Sequence, residues 1–138
     1  EKVADYFVKH IPESGLIPVD FCQPEESGLE DATAAAIAAS GMLLLSDLLS
    51  GMETVAGGYA NPLKTADSER EKRLRSAAVK LLRTLDEKRC CWDSDRDELL
   101  EKCTAAYHDE RHEFPIIYGD YFFMESIFRL TGEELFSW

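Results

Sequence analysis

The chain has 138 residues, 45% hydrophobic and 30% charged, which suits one globular domain with a core of its own. Its 27 acids against 15 bases give a net charge of -12, which repels phosphate backbones and leaves nucleic acid without an evident landing surface. No wholly apolar run reaches the length of a membrane span, because the longest candidate, Ala32 to Leu49, is interrupted by Thr33, Ser40, Gly41, Ser46 and Asp47.

The chain opens on "EKVADYFVKHI", where Val3, Ala4, Phe7, Val8 and Ile11 fall on one stripe and predict an amphipathic helix already in progress. The first residue is not Met and no signal-peptide pattern follows, so a segment upstream is expected to have been removed. Pro12, Gly15, Pro18 and Pro24 punctuate the connection that comes next, which is long enough to be functional or to cover something. Asp31 stands at the N-cap position of "ATAAAIAASGMLLLSDLL", a helix apolar or small on every side and therefore expected to be buried on every side. A Gly/Pro-rich connection follows, and its Gly57-Gly58 pair is too isolated to read as a phosphate loop.

From Ser68 the residues Leu74, Ala77, Ala78, Leu81, Leu82 and Leu85 form a stripe with a charged back. Its basic run "REKRLR", interleaved with Glu69 and Glu71, is expected to be a solvated outer face. "DRDELLEKCTAAYHDERHEF" allows either a helix, through Leu99, Leu100 and Cys103, or an irregular excursion. The last element, "PIIYGDYFFMESIFRL", predicts a helix stopped by Gly132 and apolar around most of its circumference. Tyr118-Gly119-Asp120-Tyr121 reads as its buried start rather than a catalytic group: Gly119 permits close approach, Asp120 complements the helix dipole and the aromatics fill a core. Amphipathic and all-round apolar helices alternate, which predicts an all-α protein built as concentric layers, an α/α toroid rather than a four-helix bundle.

Chemistry-bearing groups are sparse. Cys22, Cys90, Cys91 and Cys103 lack metal-ligand spacing and read as free thiols, although a bridge from Cys90 or Cys91 to Cys103 would suit an exported protein. His10, at a helix end, is expected to be exposed. His108 and His112 are four apart, but Asp109 stands where the zincin pattern needs Glu, and Pro115 with the local polarity favours a loop over a metal-bearing helix. Tyr107 is an aromatic with a polar tip beside a charged loop, equally readable as a sugar-contacting ring or as a cover for the core edge. Glycoside chemistry needs paired carboxyl groups, and no pair stands out among the acids.

Three segments taken together, "VADYFVKHIPESGLIPVDF", "EDATAAAIAASGMLLL" and "YHDERHEFPIIYGDYFFMESIFRL", resemble the C-terminal portion of glycoside hydrolase family 88, the unsaturated glucuronyl hydrolases, with the family 105 rhamnogalacturonyl hydrolases as cousins. The resemblance implies part of an (α/α)6 barrel of the six-hairpin glycosidase type. It also implies hydrolysis of oligosaccharides ending in a 4,5-unsaturated uronic acid, by hydration of the double bond under an aspartate general acid and base, with no metal or organic cofactor. The family's essential aspartates belong to the N-terminal portion, so the chain alone is expected to be inactive and no acid here inherits their role. Tyr107 and His108 match the place of a substrate-side residue, and residues 98 to 107 would form an extended excursion. Departures are Asp31-Ala32-Thr33 where the family has Asp-Ser-Ser, Tyr118 where tryptophan commonly precedes Gly, and a short, charged loop from His108 to Glu113. The remainder of the barrel or a second copy is the expected protein partner, neither nucleic acid nor membrane is expected, and the expected location is cytoplasmic. The competing reading is a non-catalytic helical module that binds carbohydrate or protein.

Overall fold

The computed structural model describes residues 2–51, 54–55, 59–60, 62–63 and 66–133. The chain forms α1 (Lys2–His10), a single 3-10 turn (Glu25–Ser27), α2 (Ala32–Leu49), the two-residue strands β1 (Thr54–Val55) and β2 (Tyr59–Ala60), α3 (Ser68–Lys88) and α4 (Ile117–Thr131). The strands pair antiparallel and are the whole of the described sheet. The Gly57-Gly58 pair lies outside the described residues.

Helix α2 is the centre of the protein, with α3 along one side and α4 along another. Small residues make this possible: Ala35, Ala36 and Ala39 are buried, and only methyl-sized side chains let neighbouring backbones come so near. From α3 the core receives Leu74, Ala77, Ala78, Leu81, Leu82 and Leu85, the stripe its periodicity predicts. Asp67 caps α3 by accepting from the Arg70 amide at 3.1 Å. Gly132, at φ +77, ends α4 in the left-handed conformation that glycine adopts freely, as expected.

Helix α2 has mean hydropathy 1.7 over its 18 residues, long and apolar enough to cross a membrane by length and composition alone, so its polar interruptions do not disqualify it as the sequence suggested. They are used inside the protein instead. Ser40 donates to Glu125 of α4 and Ser46 to Glu71 of α3 at 3.3 Å, and 56% of the helix is buried, as in a core helix. Asp47 lies 3.7 Å from Arg75 of α3 and 3.6 Å from Arg129 of α4, linking the three helices by charge.

Expectations for three helices change. Helix α4 is not covered all round: Gly119, Phe123 and Ser126 face inward at spacings of four and three, while Tyr118, Tyr121, Met124 and Ile127 are exposed. Composition made the helix apolar, but only one stripe of it meets another described element. The apolar stripe of α1 likewise has no buried residue, and Val3 is 82% exposed. The basic run on α3 is more than a solvated face, since Arg70 (2.5 Å) and Arg73 both pair with Asp5 and hold α1 against α3.

The long connection before α2 does cover something. Ile17 is buried, Asp31 donates its amide to the Ile17 carbonyl at 2.9 Å, and the Phe21 ring stands edge-on to Phe7 at 5.3 Å. His10 is half-buried rather than exposed, because its ring stacks on Tyr6 at 4.0 Å and its Nδ1 lies 2.7 Å from the Tyr6 carbonyl. Between α3 and α4 the chain contains no helix: an isolated bridge pairs Cys90 with Leu100, and turns follow. Leu100 and Cys103 are fully buried, so the spacing that allowed a helix reflects two anchors of an irregular excursion.

Candidate functional site

The N-terminal ends of α2 and α4 meet the excursion at one end of the protein, and three carboxylates fix the junction, two of them through backbone amides and one through an arginine. Asp31 Oδ1 accepts from the Thr33 amide (2.9 Å), capping α2 as predicted, and from the Thr104 amide (3.1 Å) of the excursion. Glu30 holds Arg89 in a two-pronged pair, with Nε at 2.7 Å and Nη2 at 2.8 Å, and its carbonyl accepts from the Thr104 hydroxyl at 2.9 Å. Asp120 accepts from the Leu100 and Leu99 amides at 2.7 and 3.2 Å. Beyond complementing a helix dipole, it ties the excursion to the first turn of α4.

Gly119 makes this junction compact. A Cβ there would lie 2.9 Å from Cys103 Sγ and 3.2 Å from Thr33 Oγ1, so the sequence reading of Gly119 as a close-approach residue holds. Its neighbour Tyr118 is a correction. A helix turns about 100° per residue, so burying Gly119 directs Tyr118 outward, and Tyr118 is 65% exposed instead of filling the core.

Tyr118 borders an open, mainly apolar groove of about 700 Å³, shared with Val3 and Phe7 of α1, Thr33 and Ile37 of α2, and Asp31. Asp31 is the carboxylate in this lining. Burial raises its carboxyl above the ordinary value, opposed by hydrogen bonds from the Thr104, Ala34 and Thr33 amides. One carboxylate committed to backbone amides provides neither the acid and base pair nor the acid and nucleophile pair of glycoside hydrolysis.

Ala105 also lines the groove, and the chain runs from it to Tyr107 and His108, which are not lining residues. Tyr107 is half-buried and His108 exposed, with their rings edge-on at 5.3 Å. His112 Nε2 lies 2.9 Å from the Tyr107 carbonyl, so the loop closes on itself. His108 and His112 therefore share no helix face, and no group of three His, Cys, Asp or Glu among the described residues is arranged to hold a metal. The sequence reading did not place Tyr118 or Asp31 at this groove. The available signal was that both flank the helix starts, beside residues too small to fill space.

All four thiols are free, with Cys22 exposed and Cys103 buried, so the alternative bridges to Cys103 are not formed. Burial and the nearby Asp86 and Asp120 carboxylates push the Cys90 thiol up to about 12, and burial also raises Cys103. The thiolate is the reactive form, so a thiol-reactive dye at neutral pH is expected to label Cys22 first and Cys103 only after unfolding. Equal labelling rates for the two before denaturant is added would show that the excursion is not packed as described.

No family model matches the chain. A curated unsaturated glucuronyl hydrolase from Bacillus sp. (strain GL1) is 26% identical over 134 residues, 94% of this chain and 31% of that protein. A crystal structure of unsaturated glucuronyl hydrolase from Bacillus sp. GL1, described as responsible for the degradation of glycosaminoglycan, superposes with TM-score 0.72 at 25% identity. The chain resembles unsaturated glucuronyl hydrolase. A second structure, a UGL variant with the oligosaccharide dGlcA-Glc-Rha-Glc, gives the same TM-score and identity. Both superpositions cover 94% of this chain and 31% of the other, so the chain spans about a third of the length of the unsaturated glucuronyl hydrolases it matches. The fold is all-α, apart from its pair of two-residue strands, and is part of an (α/α)6 barrel.

Proposed function

We propose that the chain is the C-terminal segment of a glycoside hydrolase that acts on oligosaccharides ending in a 4,5-unsaturated uronic acid. The observation that supports this reading is the match to unsaturated glucuronyl hydrolase in both sequence and shape over 94% of the chain. In the proposed reaction an aspartate outside this segment protonates the enol-ether double bond, water adds, and the hemiketal collapses to release the remaining sugar. Tyr107 and His108 are proposed to contact the substrate. Tyr107 offers a ring face and a phenolic hydroxyl, and His108 an exposed imidazole, both carried by a loop whose first residue after the Thr104 anchor borders the groove. Either the remainder of the barrel or a second copy is the proposed partner. Unbridged thiols are in keeping with a reducing compartment, and a cytoplasmic location is proposed.

The 138-residue chain is expected to give no turnover alone, since Asp31 is the carboxylate at its groove and is bound to backbone amides. Loss of the unsaturated uronate's ultraviolet absorbance measures this directly. Turnover by the isolated chain would refute the segment reading and place the acid among these residues. The groove's apolar lining also supports a second reading, a non-catalytic helical module. Oligosaccharide binding by the complete native polypeptide without turnover would select it.

A further inference from the structure

Two non-glycine residues among those described have left-handed backbone, Lys102 (φ +60) and Glu113 (φ +56), and they are ion-paired with each other at 2.5 Å. Left-handed backbone is unfavourable for residues with a Cβ and persists where the surroundings over-determine it. Here they do. The Lys102 carbonyl accepts from the Ala32 amide at 2.9 Å, at the first turn of α2. Thr104 Oγ1 donates to the Glu30 carbonyl and accepts from the Glu113 amide at 3.1 Å. Phe114 donates to the Cys103 carbonyl at 2.8 Å, and the Glu113 carboxylate accepts from the Glu30 amide at 3.2 Å. These contacts close a neck on the capped end of α2, and the loop from Ala105 to His112 hangs from it with Tyr107 and His108.

We propose that Lys102 and Glu113 are positioning residues that pre-order this loop for carbohydrate, the neck holding Tyr107 and His108 in their bound arrangement before ligand arrives. The proposal rests on the carbohydrate reading above. A side chain ordered in advance loses less freedom on binding, so the neck acts on affinity more than on fold. Its ion pair is partly exposed, and breaking such a pair costs the folded state little.

The test compares the complete native polypeptide that carries this segment with its Lys102→Ala, Glu113→Gln and Lys102→Arg variants. Calorimetry with dGlcA-Glc-Rha-Glc reads affinity, amide hydrogen exchange without ligand reads loop order, and thermal melting reads the helices. Lys102→Ala and Glu113→Gln are expected to weaken binding on the order of fivefold and to speed exchange at the Asp109 and Glu113 amides, with melting nearly unchanged. Lys102→Arg is expected to restore both readouts. Wild-type affinity or wild-type exchange in the first two variants overturns the proposal, as does loss of affinity accompanied by general destabilisation. A complete native polypeptide that fails to bind the oligosaccharide removes the carbohydrate reading and the neck's ligand role with it. Unchanged exchange alongside intact wild-type binding removes the neck alone.

Discussion

Replacing Asp31 with alanine is expected to destabilise the chain by about 1.5–5 kcal/mol. An N-cap lost to alanine costs about 0.5–2 kcal/mol, and the Thr104 amide, left without its acceptor beside buried residues, adds about 1–3 kcal/mol. Asp31→Asn separates hydrogen bonding from charge, because asparagine keeps an oxygen for the Thr33 and Thr104 amides without an ionised group to desolvate. Since burial raises the folded-state value above the ordinary 3.8, the folded chain holds its proton more tightly than the unfolded chain. The contribution of Asp31 is therefore fully present below 3.8 and declines as pH rises through the raised value. Asp31→Asn is expected to be at least as stable as wild type at neutral pH, with that relative advantage disappearing in acid. Urea unfolding at both pH values checks this. A neutral-pH loss for the asparagine variant as large as for alanine would show that the charge, and not the acceptor, is what the junction needs.

Gly119→Ala is expected to lower stability by about 1–3 kcal/mol through overpacking. Alanine is favoured over glycine within a helix by up to about 1 kcal/mol, but Gly119 lies in the first turn and the new methyl meets Cys103 Sγ, Thr33 Oγ1 and Leu100 Cδ1. Crowding therefore wins. Cys103→Ala removes the nearest atom, so the double variant should recover part of the loss in a double-mutant cycle. A single variant as stable as wild type would mean that α4 and the excursion do not approach each other as closely as described.

Much of the fold is legible in the sequence where one residue determines one contact. The stripe on α3 is buried as its spacing indicates, Asp31 caps α2, and Gly132 ends α4. Periodicity identifies which face is apolar but not whether another element covers it, which is why α1 and α4 carry more exposed apolar surface than expected. The excursion was undecidable by spacing because Leu100 and Cys103 bury themselves without regular structure between them. Its family resemblance implied an excursion rather than a helix, and the structure shows no helix there. Tyr107 and His108 stand out by residue type but do not line the groove, whereas Asp31 and Tyr118 enter it through helix geometry. Lys102 and Glu113 were invisible as turn residues, since neither glycine nor asparagine marks their left-handed backbone.

The closed neck also separates two kinds of sequence change. The hydrogen bonds and ion pair that close the neck are made by residues 102–104 and 113–114. The closure entropy of a flexible loop rises only slowly with length, so residues 105–112 are expected to tolerate changes of length. Insertions or deletions there are expected to alter what the loop presents more than the packing of the helices. New recognition can be grafted onto this end of the protein by replacing the loop between fixed ends, the route by which a constant scaffold acquires variable specificity.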